Sequence, residues 1–223
     1  MCGRYVSKKT ADWERQFHIK KTPPFAFESY NIAPTQKVPV VRAATDGNTC
    51  ELLRWGLIPF FARGEPTKYS TINARIETLE TAASYRGPWK RGQRCLLLAT
   101  GFYEWHVNDD GSKQPFYIHV ADQESFGLAG LWDRSVAADG MAVESCTLIT
   151  MPANPMMAEI HNAKHRMPAI LAADEVEAWL SGSVEEAKAA LKQYPEELMV
   201  AWPVSTRVNS PKNNGPELIA TVR

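Results

Sequence analysis

The second residue of the chain carries the most distinctive chemistry in the sequence. Cys2 follows Met1, and removal of Met1, which is usual when the next side chain is small, would give Cys2 a free α-amine beside its thiol. The reference pKa is near 8 for an α-amine and about 8.5 for a thiol, so roughly a tenth of the amine is neutral at pH 7. A neutral amine forms an imine with an aldehyde, and the adjacent sulfur can then close a thiazolidine ring. Cys2 is therefore either a trap for an aldehyde or a residue without a special role.

Two further side chains have types suited to proton transfer. Glu104 lies in the aromatic run GFYEW (residues 101–105), where strand alternation puts it on the same face as Phe102. If that face is buried, desolvation raises the pKa of the carboxyl towards neutrality; otherwise Glu104 is a solvated surface residue. His161 is followed by basic residues near the end of a predicted helix, where it is either a cap or an acid-base group.

Composition limits the classes of protein that the chain can represent. It has 223 residues with 25 Lys and Arg against 25 Asp and Glu, so attraction to nucleic acid must come from a local basic surface. The four cysteines are scattered without a CxxC pair, which argues against a zinc site and a disulfide framework. No signal peptide and no apolar run of ~20 residues is present, so we expect a soluble, cytoplasmic protein without a bound metal or cofactor.

Short β-type runs separated by turn residues recur along the chain. Turn signals at residues 108–111 and 138–140 predict hairpins, and hairpins favour antiparallel sheets. The predicted strands cover residues 38–42, 51–57, 94–98, 100–106, 115–120, 125–132 and 146–150.

The predicted helices are short and amphipathic. We expect helices over residues 10–17, starting at Thr10, and over 73–85, capped by Asn73 and ended by residues 86–87. Asn154 followed by Pro155 predicts a helical turn over 156–161. The spacings of Asp174 with Glu177 and of Ser183 with Glu186 predict two capping boxes on surface helices. Together these elements predict a single α+β domain over residues 1–223, with mostly antiparallel β-sheets and peripheral helices.

Five separated motifs resemble those of one protein family. They are MCGR (1–4), YNIAP (30–34), INARIE (72–77), GFYEW (101–105), and IH (160–161) with RMP (166–168). The chain resembles the SOS response-associated peptidase (SRAP) family, whose members process abasic sites in single-stranded DNA. The motifs follow the family's order and span nearly the whole chain, and residues 203–205 and 212–213 also fit.

The resemblance implies a barrel-like SRAP fold and a role for each candidate residue. Cys2, after loss of Met1, would trap the ring-opened sugar of an abasic site as a thiazolidine, giving a covalent crosslink that shields the lesion. Asn73 would orient the N-terminus, Glu104 would accept or relay protons at the amine, and His161 would assist sugar-ring opening and imine chemistry. Strand cleavage by β-elimination at the 3′ phosphate would be a side reaction.

The same motifs contain candidate DNA contacts. Arg4, Arg75 and Arg166 each share a motif with a proposed catalytic residue, so we expect them to contact phosphates. Trp105 would either stack on a base or belong to the core. The expected partner is single-stranded DNA containing abasic sites, bound by a monomer without a membrane or a metal ion.

Two departures from the family pattern affect these expectations. Three additional residues separate His161 from the RMP motif, and His165 directly precedes Arg166, so the catalytic histidine is ambiguous. We favour His161 because it follows an acidic-apolar pair. Phe60 and Phe61 occupy a position where the family commonly has Trp, and stacking should survive that exchange.

Two other functions remain open from the sequence. In an N-terminal cysteine hydrolase with autoproteolytic activity, the Cys2 thiolate would attack an amide and its own α-amine would act as the base. In a noncovalent binder of modified DNA, Cys2 would be incidental.

Overall fold

Strands make up most of the regular structure. The structure, a computed structural model, describes residues 2–10, 13–21 and 26–222. The strands in these ranges are β1 (Arg4–Lys8), β2 (Ile19–Lys21), β3 (Glu28–Ile32), β4 (Lys37–Ala44), β5 (Gly47–Trp55), β6 (Asn73–Arg75), β7 (Arg94–Ala99), β8 (Gly101–Val107), β9 (Lys113–Val120), β10 (Phe126–Val136), β11 (Ala142–Pro152), β12 (Arg166–Pro168), β13 (Ile170–Leu171) and β14 (Met199–Pro203).

The helices are short. The α-helices in the described ranges are α1 (Trp13–Gln16), α2 (Arg86–Lys90), α3 (Pro155–Ile160), α4 (Val176–Ser181) and α5 (Val184–Ala190). Single 3₁₀ turns cover Phe60–Ala62, Ile76–Thr78, Ala173–Glu175, Glu196–Leu198, Thr206–Asn209 and Pro216–Ile219. None of the helices in this part of the chain has the length and apolar composition needed to span a bilayer.

Five strands close into a barrel. The antiparallel order β11-β10-β7-β4-β5 is completed by a parallel pairing of β5 with β11. The short strand β6 also pairs in parallel with β11, and strands β2, β12 and β13 extend the edges. The predicted α+β fold with mostly antiparallel, barrel-like sheets is confirmed.

A second sheet carries the segment that begins with Cys2. Its order is β14-β9-β8-β1-β3, and β1 pairs antiparallel with β8 so that Arg4 lies opposite Tyr103. Continuing this register towards the N-terminus brings residues 2 and 3 alongside residues 105 and 104. Strand pairing therefore brings Cys2 and Glu104 into one neighbourhood.

Both faces of β8 are covered, which decides the environment of Glu104. Phe102 packs in the large core together with Cys2, whereas Tyr103 packs in a smaller cluster with Val6 and Val204. Because both faces of β8 pack against other parts of the protein, a polar side chain on either face is removed from bulk solvent. Glu104 is accordingly only 2% exposed.

Most local predictions from turn and cap chemistry are confirmed. The turn between β8 and β9 is closed by the amide of Asn108, which donates to the Ser112 carbonyl, and a turn also joins β10 to β11. Asn154 caps α3 by accepting from the Met157 amide at 2.9 Å. Ser183 and Glu186 form the predicted capping box of α5.

The predicted helix over residues 73–85 is wrong. Residues Asn73–Arg75 form β6, a 3₁₀ turn follows, and α2 begins at Arg86, where the predicted helix was to end. The cause is tertiary: β6 pairs in register with Leu148–Thr150 of β11, so its amides and carbonyls bond to a strand distant in sequence. Asn73 is therefore not a helix cap.

Two other helix predictions need correction. The predicted capping box of Asp174 and Glu177 is wrong, because α4 begins at Val176 after a 3₁₀ turn and has no side-chain cap. The predicted helix over 10–17 is shorter, with α1 covering Trp13–Gln16, while residues 11 and 12 lie outside the described ranges. Trp13 and Phe17, four residues apart, are both buried.

Candidate active site

A carboxyl group and an imidazole meet at the end of α3. Glu104 of β8 and His161, the residue directly after α3, are 2% and 5% exposed. Glu104 Oε2 lies 3.5 Å from His161 Nε2. The Asn154 cap sets the start of α3, and six helical residues then bring His161 back over β8.

A second contact assigns the tautomer of His161. Its Nδ1 lies 2.9 Å from the backbone carbonyl of Arg166, and a carbonyl oxygen can only accept a hydrogen bond. Nδ1 therefore carries the hydrogen. In the neutral ring Nε2 then presents a lone pair towards Glu104, so a hydrogen bond between the two side chains needs a proton on one of them.

Burial shifts the two groups in opposite directions. It raises the pKa of Glu104 from 4.5 to about 7 and lowers the pKa of His161 from 6.5 to about 4. A stable ion pair would instead lower the pKa of the carboxyl and raise that of the imidazole. At neutral pH the imidazole is uncharged, and the carboxyl exchanges its proton readily. The pair is suited to moving protons near pH 7.

Asn73 holds the backbone of Cys2. Its Nδ2 donates to the Cys2 carbonyl at 2.8 Å, and its own carbonyl accepts from the Tyr85 hydroxyl at 3.1 Å. Asn73 Oδ1 is buried and has no hydrogen-bond partner among the described residues. The side chain predicted to orient the N-terminus thus contacts the first described residue of the chain and retains a free acceptor.

The thiol of Cys2 is buried and protonated. It is 0% exposed, and its Sγ donates to the Arg4 carbonyl at 3.6 Å. Burial raises the pKa of the thiol, and the nearby charge of Glu104 raises it further. Cys2 therefore has no thiolate character at neutral pH in this environment.

An open cleft reaches this pair from the surface. It has a volume of about 370 Å³ and is lined by Glu104, His161, Trp105, Asn209, Lys113 and Lys164, together with Val107 and Ala163. This volume is within the range of small-molecule sites. In the part of the chain that the structure describes, no group of three His, Cys, Asp or Glu side chains is arranged to hold a metal ion.

Two of the arginines predicted to contact DNA are bound to protein groups. Arg4 donates to the Asn31 side chain at 3.0 Å and to the carbonyls of Val208 and Asn209 at 3.0 and 3.2 Å. Arg166 forms a two-pronged ion pair with Glu77 and donates to the Thr150 carbonyl at 2.7 Å. The Arg166 hydrogen bonds lower the pKa of Glu77. Both guanidinium groups tie together segments far apart in sequence.

The remaining predicted DNA contacts are more accessible. The Arg75 side chain is 59% exposed, and its Nε lies 3.6 Å from Glu77. Trp105 is half-buried, lines the cleft, and donates from Nε1 to Asn209 Oδ1 at 2.8 Å. Phe60 and Phe61 are 55% and 46% exposed. The DNA contacts of Arg75 and Trp105, and the stacking expected of Phe60 and Phe61, stay predictions.

Of the two candidate histidines, His161 faces Glu104. His165 is exposed, and its φ of 50° lies in the left-handed region. Residues 162–165 form a turn in which the amides of Lys164 and His165 both donate to the His161 carbonyl. His161 lines the cleft, and the additional residues lie in the turn that follows α3.

Several residues of the site carry no signal in the sequence. Lys113, Lys164 and Asn209 line the cleft, and Glu77 anchors Arg166. Lys164 belongs to the residues that separate His161 from the RMP motif, so the insertion itself was the available clue. Asn209 comes from the C-terminal segment, where no local pattern points to it.

Comparisons with known proteins show similarity over nearly the whole chain. A family model described as SOS response associated peptidase (SRAP) matches residues 1–211. The abasic site processing protein YoqW of Bacillus subtilis (strain 168) is 37% identical over 225 residues, covering 98% of this chain and 99% of that protein. The abasic site processing protein HMCES of Gallus gallus is 34% identical, over 87% of this chain and 66% of that protein.

Solved structures have the same architecture. A crystal structure of a protein from Bordetella bronchiseptica has a TM-score of 0.80 at 27% identity, covering 92% of this chain and 100% of that one. A crystal structure of a protein from Bacteroides thetaiotaomicron has a TM-score of 0.78 at 32% identity, covering 87% of this chain and 85% of that one. The similarity in fold therefore extends over most of the chain.

Proposed function

Since the chain belongs to the SOS response associated peptidase (SRAP) family, we propose that it traps abasic sites in single-stranded DNA through the α-amine and thiol of Cys2. The observation that carries the proposal is the hydrogen bond from Asn73 to the Cys2 carbonyl, which holds Cys2 in the neighbourhood of Glu104. Relatives named abasic site processing proteins support the choice of substrate.

The proposed reaction joins the aldehyde carbon first to nitrogen and then to sulfur. Loss of Met1, which lies outside the described residues, frees the α-amine of Cys2. The neutral amine attacks the aldehyde of the ring-opened sugar, and one amine proton passes by way of Glu104 to the former aldehyde oxygen. That oxygen then leaves as water with the second amine proton, which gives the imine. The thiol sulfur then adds to the imine carbon, and its proton moves to nitrogen. The product is a thiazolidine, and one water molecule is released overall.

Each neighbouring residue has a defined part in this scheme. Asn73 Oδ1, buried and without a partner among the described residues, would accept an N–H of the freed amine. His161 Nε2 would accept the proton of the sugar hydroxyl while protonated Glu104 supplies one to the ring oxygen as the sugar opens. The imine stage also acidifies the adjacent carbon, so loss of the 3′ phosphate by β-elimination is a side reaction.

The protonation of Cys2 favours amine attack over the hydrolase alternative. A thiolate nucleophile needs a lowered thiol pKa, and burial and Glu104 both raise the pKa of Cys2. Amine attack needs only a neutral amine, of which about a tenth is present at pH 7 without assistance. Aldehyde trapping is therefore favoured over autoproteolysis. A denaturing gel distinguishes covalent trapping from noncovalent binding of DNA.

The test is incubation with an oligonucleotide containing one abasic site. We expect a species that migrates as protein plus DNA on a denaturing gel after heating, with single-stranded substrate preferred over duplex. The same oligonucleotide with an intact base is the control. Intact mass spectrometry of the protein should show that Met1 has been removed. Noncovalent binding without a heat-stable species, or a protein that retains Met1, contradicts the proposal.

Substitutions at the two histidines should have very different effects on the crosslinking rate. His161→Ala should slow crosslinking about 100-fold, because it removes the acid-base partner of Glu104. His165→Ala, which changes an exposed residue, should alter the rate by no more than about twofold. The measurement is the single-turnover rate at saturating protein. Equal effects of the two substitutions would contradict the assignment of His161.

A further inference from the structure

We propose that Lys113 and Lys164 bind the phosphates that flank the abasic sugar at the mouth of the cleft. The inference rests on the proposed function, and it assigns phosphate contacts to residues that no sequence motif indicated. Both lysines line the cleft that contains Glu104 and His161. Both side chains belong to exposed residues, so their ammonium groups reach solvent where a strand would enter.

Both lysine side chains are available to bind an anion. Neither ammonium group forms an ion pair with a residue in the described ranges. Arg4 and Arg166, in contrast, donate to Asn31, Glu77 and backbone carbonyls. A phosphate entering the cleft would have to break those contacts to reach either arginine, whereas the lysines can bind it at no such cost.

Hydrogen bonds hold both ends of the turn that contains Lys164. Asn162 Oδ1 accepts from the Val107 amide at 3.0 Å, and Asn162 Nδ2 donates to the Val107 carbonyl at 2.9 Å. The amide of Lys164 donates to the His161 carbonyl at 3.1 Å, and the His165 carbonyl accepts from the Ala153 amide at 3.0 Å. The backbone of Lys164 is therefore held over the cleft before DNA binds, which reduces the entropy lost on binding.

Lys113 lines the cleft from β9, whereas Lys164 lies in the turn after α3. Lys113 begins β9 and lies opposite Val107 in the antiparallel pairing of β8 with β9. Val107 thus contacts the turn of Lys164 through Asn162 on one side and the strand of Lys113 on the other. Both lysines therefore line one opening, and a strand that crosses the cleft can place a phosphate near each lysine.

Lys164 also acts on the acid-base pair. Among the described residues, the titratable groups that interact with Glu104 include the Cys2 thiol at the start of the chain, the His161 ring after α3 and the Lys164 ammonium in the following turn, and the N-terminal amine also acts on it. Burial raises the pKa of Glu104, and the positive charge of Lys164 opposes that rise. Removing the charge should move the pKa of Glu104 upwards. Lys113 is not among the charges that act most strongly on Glu104, so it provides a matched comparison within the same cleft.

The first measurement is noncovalent affinity for single-stranded DNA bearing a tetrahydrofuran, which mimics the abasic sugar but has no aldehyde. Each lysine-to-alanine change should weaken binding about two- to fivefold. In the double variant the slope of log K against log salt should fall by about 1.4, because each single-strand phosphate contact contributes about 0.7. Lys20→Ala, on the edge strand β2, is the control and should change neither quantity.

The second measurement pairs each variant with a substrate that carries one neutral methylphosphonate beside the lesion. If Lys164 contacts that phosphate, Lys164→Ala and the methylphosphonate should weaken binding by the same factor, and their combination should add nothing further. Additive losses at every position tested would overturn the proposal. An unchanged salt slope in the double variant would overturn it as well.

The pH profile separates a local charge effect from misfolding. Lys164→Ala should shift the midpoint of crosslinking to higher pH, Lys113→Ala should leave the midpoint unchanged, and Lys164→Arg should restore the wild-type midpoint. A shift of equal size in both alanine variants would contradict the role of Lys164. If the wild-type protein formed no crosslink while the two lysine variants still lost salt-dependent binding, the function would fail and the phosphate contacts would stand.

Discussion

Cys2→Ala should eliminate the heat-stable crosslink while leaving a reducible adduct. Alanine is small, so Met1 should still be removed and an α-amine should still be present at residue 2. That amine can form an imine with the abasic aldehyde, but without sulfur no thiazolidine can close, and the imine hydrolyses on heating. Borohydride added before denaturation should therefore trap protein on DNA in the variant, whereas the wild-type protein should need no reductant.

Two matched variants separate sulfur chemistry from damage to the core. Cys50→Ala removes another buried cysteine and should crosslink at the wild-type rate, with any loss confined to stability. Cys2→Ser keeps a small polar side chain but replaces the sulfur by a weaker nucleophile, and should resemble Cys2→Ala in its requirement for borohydride. A heat-stable crosslink in Cys2→Ala without reductant would show that another residue supplies the nucleophile.

Glu104→Gln should slow crosslinking about 100-fold and simplify its dependence on pH. The pKa of Glu104 is raised to about 7 by burial, so the carboxylate that accepts the amine proton is lost as pH falls below 7. The α-amine, with a reference pKa near 8, is also protonated in that range. Below pH 6.5 the logarithm of the wild-type rate should therefore rise with a slope near 2 per pH unit, and that of the Gln variant with a slope near 1.

Arg75→Ala is the matched control for Glu104→Gln, because it changes an exposed residue of the proposed DNA path. It should weaken DNA binding and leave the rate at saturation and its pH slope unchanged. Glu104→Gln should preserve binding and lower the saturated rate. If the two variants behaved alike in both measurements, the separation of catalytic and binding roles would be wrong.

The same substitution should have a pH-dependent effect on stability. The folded-state pKa of Glu104 is about 7 against an ordinary value of 4.5, so its contribution to stability is fully present below pH 4.5 and is lost as pH rises through 7. The shift corresponds to a free energy on the order of 3 kcal/mol. The melting temperature of Glu104→Gln relative to the wild-type protein should therefore increase from pH 5 to pH 8. A constant difference would contradict the raised pKa.

Local chemistry explains the predictions that the sequence supported well. The Asn154 cap of α3, the capping box of Ser183 with Glu186 and the hairpin turns involve groups within four residues of one another. Such contacts form whenever the right residues are adjacent, so patterns in the sequence predict them. The reactivity of an N-terminal cysteine is likewise a property of one residue.

Nonlocal pairing explains the predictions that failed. Residues 73–85 have the composition of a helix, but Asn73–Arg75 pair with a strand more than seventy residues away in sequence. Because a strand obtains its hydrogen bonds from such a partner, helix propensity is overridden where a partner is available. The same rearrangement moves Asn73 from the role of a helix cap to a hydrogen bond with Cys2.

The sequence by itself determined which side chains could do chemistry: Cys2, Asn73, Glu104 and His161. Only the tertiary structure decided the environment of each, because pKa and availability depend on what surrounds a group. Burial of both faces of β8 gives Glu104 a pKa near 7. Long-range hydrogen bonds occupy Arg4 and Arg166, and the turn after α3 presents the charge of Lys164 to the cleft. The residue type at each position follows from the sequence, whereas the environment of a charged group is formed by residues far apart in the chain.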